Sequence, residues 1–113
     1  MNRAELQSLA DIRVADAKVL LDAGRYQGAY YLLGYAVECA LKACVAKQIR
    51  EHDFPDRKLI QESYTHDLGR LLAISGLKAQ FDARVAADSA FEVNWSAVTD
   101  NAHGILTWLK TLW

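Results

Sequence analysis

Proline is almost missing from this chain of 113 residues, occurring once, at Pro55. Helices on either side of that point therefore meet no proline that would remove a backbone donor or clash with the preceding turn. Glycine is sparse at six residues, and no run of alternating β-branched and polar residues is long enough to argue a sheet. There are only two cysteines, Cys39 and Cys44. Five positions apart on one helix, they point about 140° from each other and cannot pair within it. They read as two buried apolar thiols, and no Cys-x-x-Cys metal or redox spacing exists. Neither sign of charge dominates: 13 Lys plus Arg stand against 14 Asp plus Glu, a net charge of -1. That balance argues against strong electrostatic attachment to nucleic acid or an anionic membrane, and it favours self-association. The opening segment MNRAELQSLADIR is charged throughout and has no apolar core, so a signal peptide is not expected.

What the chain does have is apolar surface, at 52% of residues. That fraction excludes disorder as the main state, and the length fits a single domain over residues 1–113 with a core of its own. The spacing predicts a first helix over 3–23, with Leu6, Leu9, Ile12, Ala15, Val19 and Ala23 as its buried stripe and Gly24 as its stop. A second helix over 25–51 is apolar all round, through Tyr30, Tyr31, Leu32, Leu33, Tyr35, Val37, Leu41 and Val45. Such a helix needs cover on all sides, from three neighbouring helices or from two and a second subunit. Its small residues, Gly28, Gly34, Ala36, Ala40 and Ala43, leave room for close approach. Ala29–Ala46 holds 15 apolar residues in 18, but Glu38 and Lys42 inside it would each cost about 2.5–3.5 kcal/mol in lipid. A buried helix of a cytoplasmic protein is expected, with no membrane partner.

Residues 52–64 form the most polar connection, broken at Pro55, with a short helical turn within Asp56–Glu62. Thr65 is the expected cap of a third helix ending near Gly76, with Asp67 in its first turn and Leu68, Leu71 and Leu72 on its buried face. A fourth helix over 77–90 carries Leu77, Phe81 and Val85. The last starts between Asn94 and Asn101 and presents Ile105, Trp108, Leu109 and Leu112 at i, i+3, i+4 and i+7. Trp113 implies a docked end or a partner surface. The expected fold is all-α, an up-and-down bundle of four to five helices.

The stretch GRYQGAYYLLGYAVECALKACVAKQ, followed by a polar loop and YTHDLGRLL, resembles the HEPN family, the nucleotide-binding domain of higher eukaryotes and prokaryotes. The residues that carry the resemblance are Tyr30-Tyr31, Gly34-Tyr35-Ala36, Glu38, Leu41-Lys42-Ala43 and Thr65-His66-Asp67-Leu68. Asn94-Trp95 and Gly104 with Trp108-Leu109-Lys110 and Trp113 add to it. The resemblance spans about residues 8–113. It implies a helical bundle that dimerises and works beside nucleotides or RNA. Some members are metal-independent ribonucleases and toxins, and others pair with a minimal nucleotidyltransferase.

Ribonuclease members carry an Arg and a His with four to six residues between them, a cation for the phosphate and a general base for the 2′-hydroxyl. In this chain Arg50 lies next but one to His52, Arg57 is too far from His66, and no Arg stands at that distance before His103. Lys47 is suitably spaced from His52, but lysine lacks the forked guanidinium. No catalytic residue is therefore nominated. Four ligand-binding candidates remain: Glu38, Lys42, His66 and Asp67. Glu38 and Lys42 can face a nucleotide or form a structural ion pair. His66 and Asp67 can hold an anion or simply cap a helix. Tyr26, Tyr30, Tyr31, Tyr35 and Tyr64 can stack on bases or fill the core. Lys47, Arg50, Arg57, Lys58 and Arg70 are interleaved with acids and read as solvated surface. No phosphate loop, zinc spacing or cofactor fingerprint occurs, so no metal and no cofactor are expected. The expected function is a non-catalytic module, dimeric, binding nucleotide, RNA or a nucleotidyltransferase partner. A ribonuclease with a displaced site on His52 or His66, and a purely structural oligomerisation module, are the alternatives.

Overall fold

The computed structural model describes residues 2–51, 57–88 and 102–113. Six helices and no strand occur among the described residues: α1 (Arg3–Asp22), α2 (Tyr26–Glu51), α3 (Arg57–Glu62), α4 (Leu68–Ile74), α5 (Lys78–Ala87) and α6 (Ala102–Lys110). The fold is an all-α helical bundle. The expected break at Pro55, the end of the fourth helix beyond Asp88, and Asn94-Trp95 lie outside the described residues.

α1 opens with a reciprocal cap. The Asn2 side chain accepts from the Glu5 backbone at 2.8 Å and the Glu5 carboxylate accepts from the Asn2 backbone at 3.2 Å, so two orphan donors are satisfied at once. It closes at Gly24, whose φ of 77° suits only glycine without strain. There the Gly24 and Arg25 amides donate to the carbonyls of Leu21 and Leu20, the paired bonds that end many helices. The chain then reverses, and α1 and α2 form an antiparallel hairpin.

The face that α1 turns to α2 differs from the expected stripe. Leu6, Ala10 and Ala17 are buried, whereas Ile12 and Val19 are 51% and 68% exposed. The reason is geometric. Three residues advance about 300° around a helix, so each step of three slips about 60°. From Leu6 to Ala15 the expected stripe has wandered half-way round. The true contact line runs through alanines, which let the two backbones come close. Gly28 shows the same approach from α2: a Cβ there would stand 3.2 Å from the Leu20 side chain.

α2 is enclosed along its middle, from Ala36 to Val45. Ala36, Val37, Ala40, Leu41 and Cys44 form one core with Leu71, Leu72, Leu77, Ile105, Leu106 and Leu109. On the α1 side Cys39 and Ala43 meet Leu6 and Ala10. Both thiols are free and buried. Burial pushes Cys44 up to about 11, and burial followed by the Glu38 charge raises Cys39. The N-terminal half of α2 is not enclosed, and Tyr31 is 75% exposed. Tyr26–Ile49 is long and apolar enough to cross a bilayer by length and composition, and more than half of its most apolar stretch is buried against the other helices.

The last helix is amphipathic as its spacing predicts, with Ile105 and Leu109 fully buried. Phe81 of α5 meets Trp108 edge to face at 6.2 Å. α6 is tied to α1 by polar bonds. The Trp113 carbonyl accepts from Arg3 Nε at 2.7 Å and from Gln7 Nε2 at 3.1 Å. Lys110 pairs with Asp11. Gln48 of α2, with its amide nitrogen toward α4, donates to the Ile74 and Ser75 carbonyls at 2.9 and 3.2 Å.

Candidate functional site

α4 begins two residues later than its sequence indicates. The cap is Asp67 itself, whose carboxylate accepts from the Arg70 amide at 3.1 Å, while Thr65 Oγ1 accepts from the Asp67 amide at 3.1 Å. Asp67 thus serves the helix end, which satisfies one of its orphan donors. The turn it makes with Thr65 leaves His66 ahead of the helix, facing α2.

There His66 meets Glu38. Nδ1 of the imidazole and Oε1 of the carboxylate are 2.8 Å apart, and the other carboxylate oxygen lies 3.4 Å from Lys42 Nζ. Three of the four sequence candidates therefore converge on one carboxylate, and the fourth fixes the loop that brings His66 in. Glu38 is 6% exposed, whereas the His66 side chain is 86% exposed. Every buried side-chain nitrogen and oxygen among the described residues has a partner, as a buried charge requires. A carboxylate only accepts, so it holds the proton on His66 Nδ1. In the neutral imidazole this leaves Nε2 as an acceptor with no protein partner among the described residues.

Two cavities lie against this trio. One, of about 310 Å³, runs between α1, α2 and the end of α3, with an apolar floor of Leu6, Leu9, Val45 and Ile49 and a rim of Glu38, Lys42, Ser63 and Tyr64. The other, of about 420 Å³, is lined by Tyr30, Tyr31, Gly34, Tyr35, Glu38, His66 and Leu68. The Arg13 guanidinium sits 5.7 Å from the centre of the Tyr35 ring and bonds Asp16 at 3.0 Å. The Tyr35 phenol is raised, first by the neighbouring Cys39 thiol, then by burial and by Glu38.

The sequence candidates fall on both sides of this site. Tyr30 and Tyr31 line one cavity, Tyr64 the other and Tyr35 both, while Tyr26 lines neither. Lys47 is spent on the Leu112 carbonyl at 3.4 Å. His52 lies outside the described residues, and His103 belongs to α6, away from the sequence of the trio. Two participants carried no signal of their own. Arg13 reaches Tyr35 only because the hairpin is antiparallel. Gly34, expected to admit a neighbouring helix, admits none among the described residues: a Cβ there would meet nothing within 4 Å. A glycine inside a helix costs about 1 kcal/mol against alanine, and no packing contact accounts for it.

No family model, no curated protein and no solved structure matches this chain.

Proposed function

We propose that this chain is a HEPN-like module that binds nucleotide or RNA without cleaving it, acting in the cytoplasm as a homodimer or beside a nucleotidyltransferase in a toxin–antitoxin-type system. The observation that carries this reading is the His66–Glu38 contact. It joins the two sequence blocks on which the family resemblance rests, and it does so at the edge of a cleft walled by tyrosines. Aromatic rings beside a polar cluster suit base stacking, worth about 1–3 kcal/mol per base. The exposed Ile12, Val19 and Tyr31, with a net charge near zero, supply surface for self-association. Titration with labelled nucleotides and short RNA tests the reading. Saturable binding weakened by Tyr31→Ala, with the RNA left whole, is expected. No binding of either, and no co-purifying nucleotidyltransferase, refutes it.

One feature favours a second reading, a metal-independent ribonuclease with an unusual site. An imidazole oriented by a carboxylate, with no partner on its other nitrogen among the described residues, is the arrangement of a general base. RNA incubated with the protein in chelator separates the two. Cleavage lost in His66→Ala supports the ribonuclease and removes the non-catalytic assignment.

A further inference from the structure

The larger cleft has a floor without side chain. Gly34 stands in the interior of α2, where glycine is less stable than alanine, and the space its Cβ would take is open. Gly28 on the same helix is explained by Leu20, so close helix packing accounts for one glycine and not the other. Around Gly34 the helix places Tyr30 and Tyr31 one turn before and Glu38 one turn after, with His66 arriving from the α3–α4 connection. The walls are thus aromatic and the floor is bare backbone. The charged edge is an acceptor, the Glu38 carboxylate, whose Oε1 is held by His66 Nδ1. Each carboxylate oxygen keeps a lone pair beyond its bond to His66 or Lys42.

We propose that this cleft receives a planar heteroaromatic ring bearing N–H donors, an amine-carrying nucleobase, laid flat over Gly34 with its donor edge toward the Glu38 carboxylate. The inference rests on the nucleotide-binding reading above and adds which part of the nucleotide is read. A volume of about 420 Å³ lies in the range of small-ligand sites. A base whose edge offers an amino group pairs with this acceptor edge. Uracil has no amine, and its two carbonyls flank a single N–H and would face the carboxylate. A site built to accept hydrogen bonds rejects analogues that cannot donate them.

The test is calorimetric titration of the full chain with AMP, GMP, CMP and UMP, repeated with Gly34→Ala and Glu38→Gln. AMP, GMP and CMP are expected to bind at least tenfold more tightly than UMP. Gly34→Ala should melt at the same or a higher temperature, since its methyl has room, yet weaken AMP at least tenfold. Glu38→Gln should narrow the gap between AMP and UMP. Equal binding of all four nucleotides, or unchanged AMP affinity in Gly34→Ala, overturns the proposal. So does a Gly34→Ala variant that keeps its AMP affinity and changes only from dimer to monomer in sedimentation, for then the cleft belongs to a second copy. If short RNA still binds while the four mononucleotides are not distinguished, the base-reading cleft fails and the nucleic-acid reading survives. If neither RNA nor mononucleotide binds, both fail.

Discussion

His66 and Glu38, 28 residues apart in the chain, share a 2.8 Å contact in which one partner is buried and the other almost wholly in solvent. The asymmetry has an energetic consequence. Removing the imidazole leaves Glu38 paired with Lys42. Removing the carboxylate strips partners from two side chains at once. His66→Ala is therefore expected to lower stability by about 0–1 kcal/mol, the range of exposed ion pairs. Glu38→Ala should lower it by about 1–3 kcal/mol, because the part-buried Lys42 ammonium loses its counter-charge while the exposed imidazole regains water. Urea denaturation measures both, and equal losses would contradict the asymmetry.

The α1–α2 contact runs through Ala10 and Ala17, both with almost no exposure. Ala17→Leu should push the hairpin apart and cost about 1–3 kcal/mol. Ile12→Ser and Val19→Ser, on the outward face, should stay within about 0.5 kcal/mol in the monomer. A large loss from Val19→Ser at low concentration, where any dimer has dissociated, would restore the stripe expected from the sequence.

Asp67 holds the first turn of α4 through Arg70, and Thr65 only braces the turn before it. Asp67→Ala should cost about 1 kcal/mol, as helix caps do, and Thr65→Ala less. Thermal melts of the two variants check the order. The reverse order would return the cap to Thr65.

Cys44 has a thiol pushed up to about 11 by burial, against 9.0 when free. The neutral thiol is the form that the fold holds, so the folded chain binds the proton more tightly than the unfolded one. Its contribution to stability is complete below pH 9 and is lost as the pH climbs toward 11. Native protein at pH 8 should react slowly with a thiol reagent at both cysteines, and denatured protein should react quickly. Rapid labelling of the native chain would show that the thiols are reachable.

Much of this molecule follows from spacing. The stops at Gly24 and Gly76 need only a positive φ. The buried face of α6 follows the spacing at Ile105 and Leu109, with Trp108 half-buried beside them, although Leu106 joins it from outside the expected stripe. The buried face of α1 was not legible, because its apolar residues form more than one stripe and the partner that selects among them is remote in sequence. The site was legible by residue type and not by arrangement. Glu38 and Lys42 announce each other at i,i+4, whereas nothing in Thr65-His66-Asp67 states that its imidazole will reach α2.

The order of apolar residues along the chain determines that it is helical, where most of its turns fall and that α2 lies at the centre, because these depend on local periodicity and on the conformational freedom of single residues. Which face of α1 is covered, why Gly34 stays open, and that one carboxylate gathers both an ammonium and an imidazole were decided only when the helices packed. Those outcomes depend on distances between segments that the chain brings together from afar, and no short window of sequence contains them.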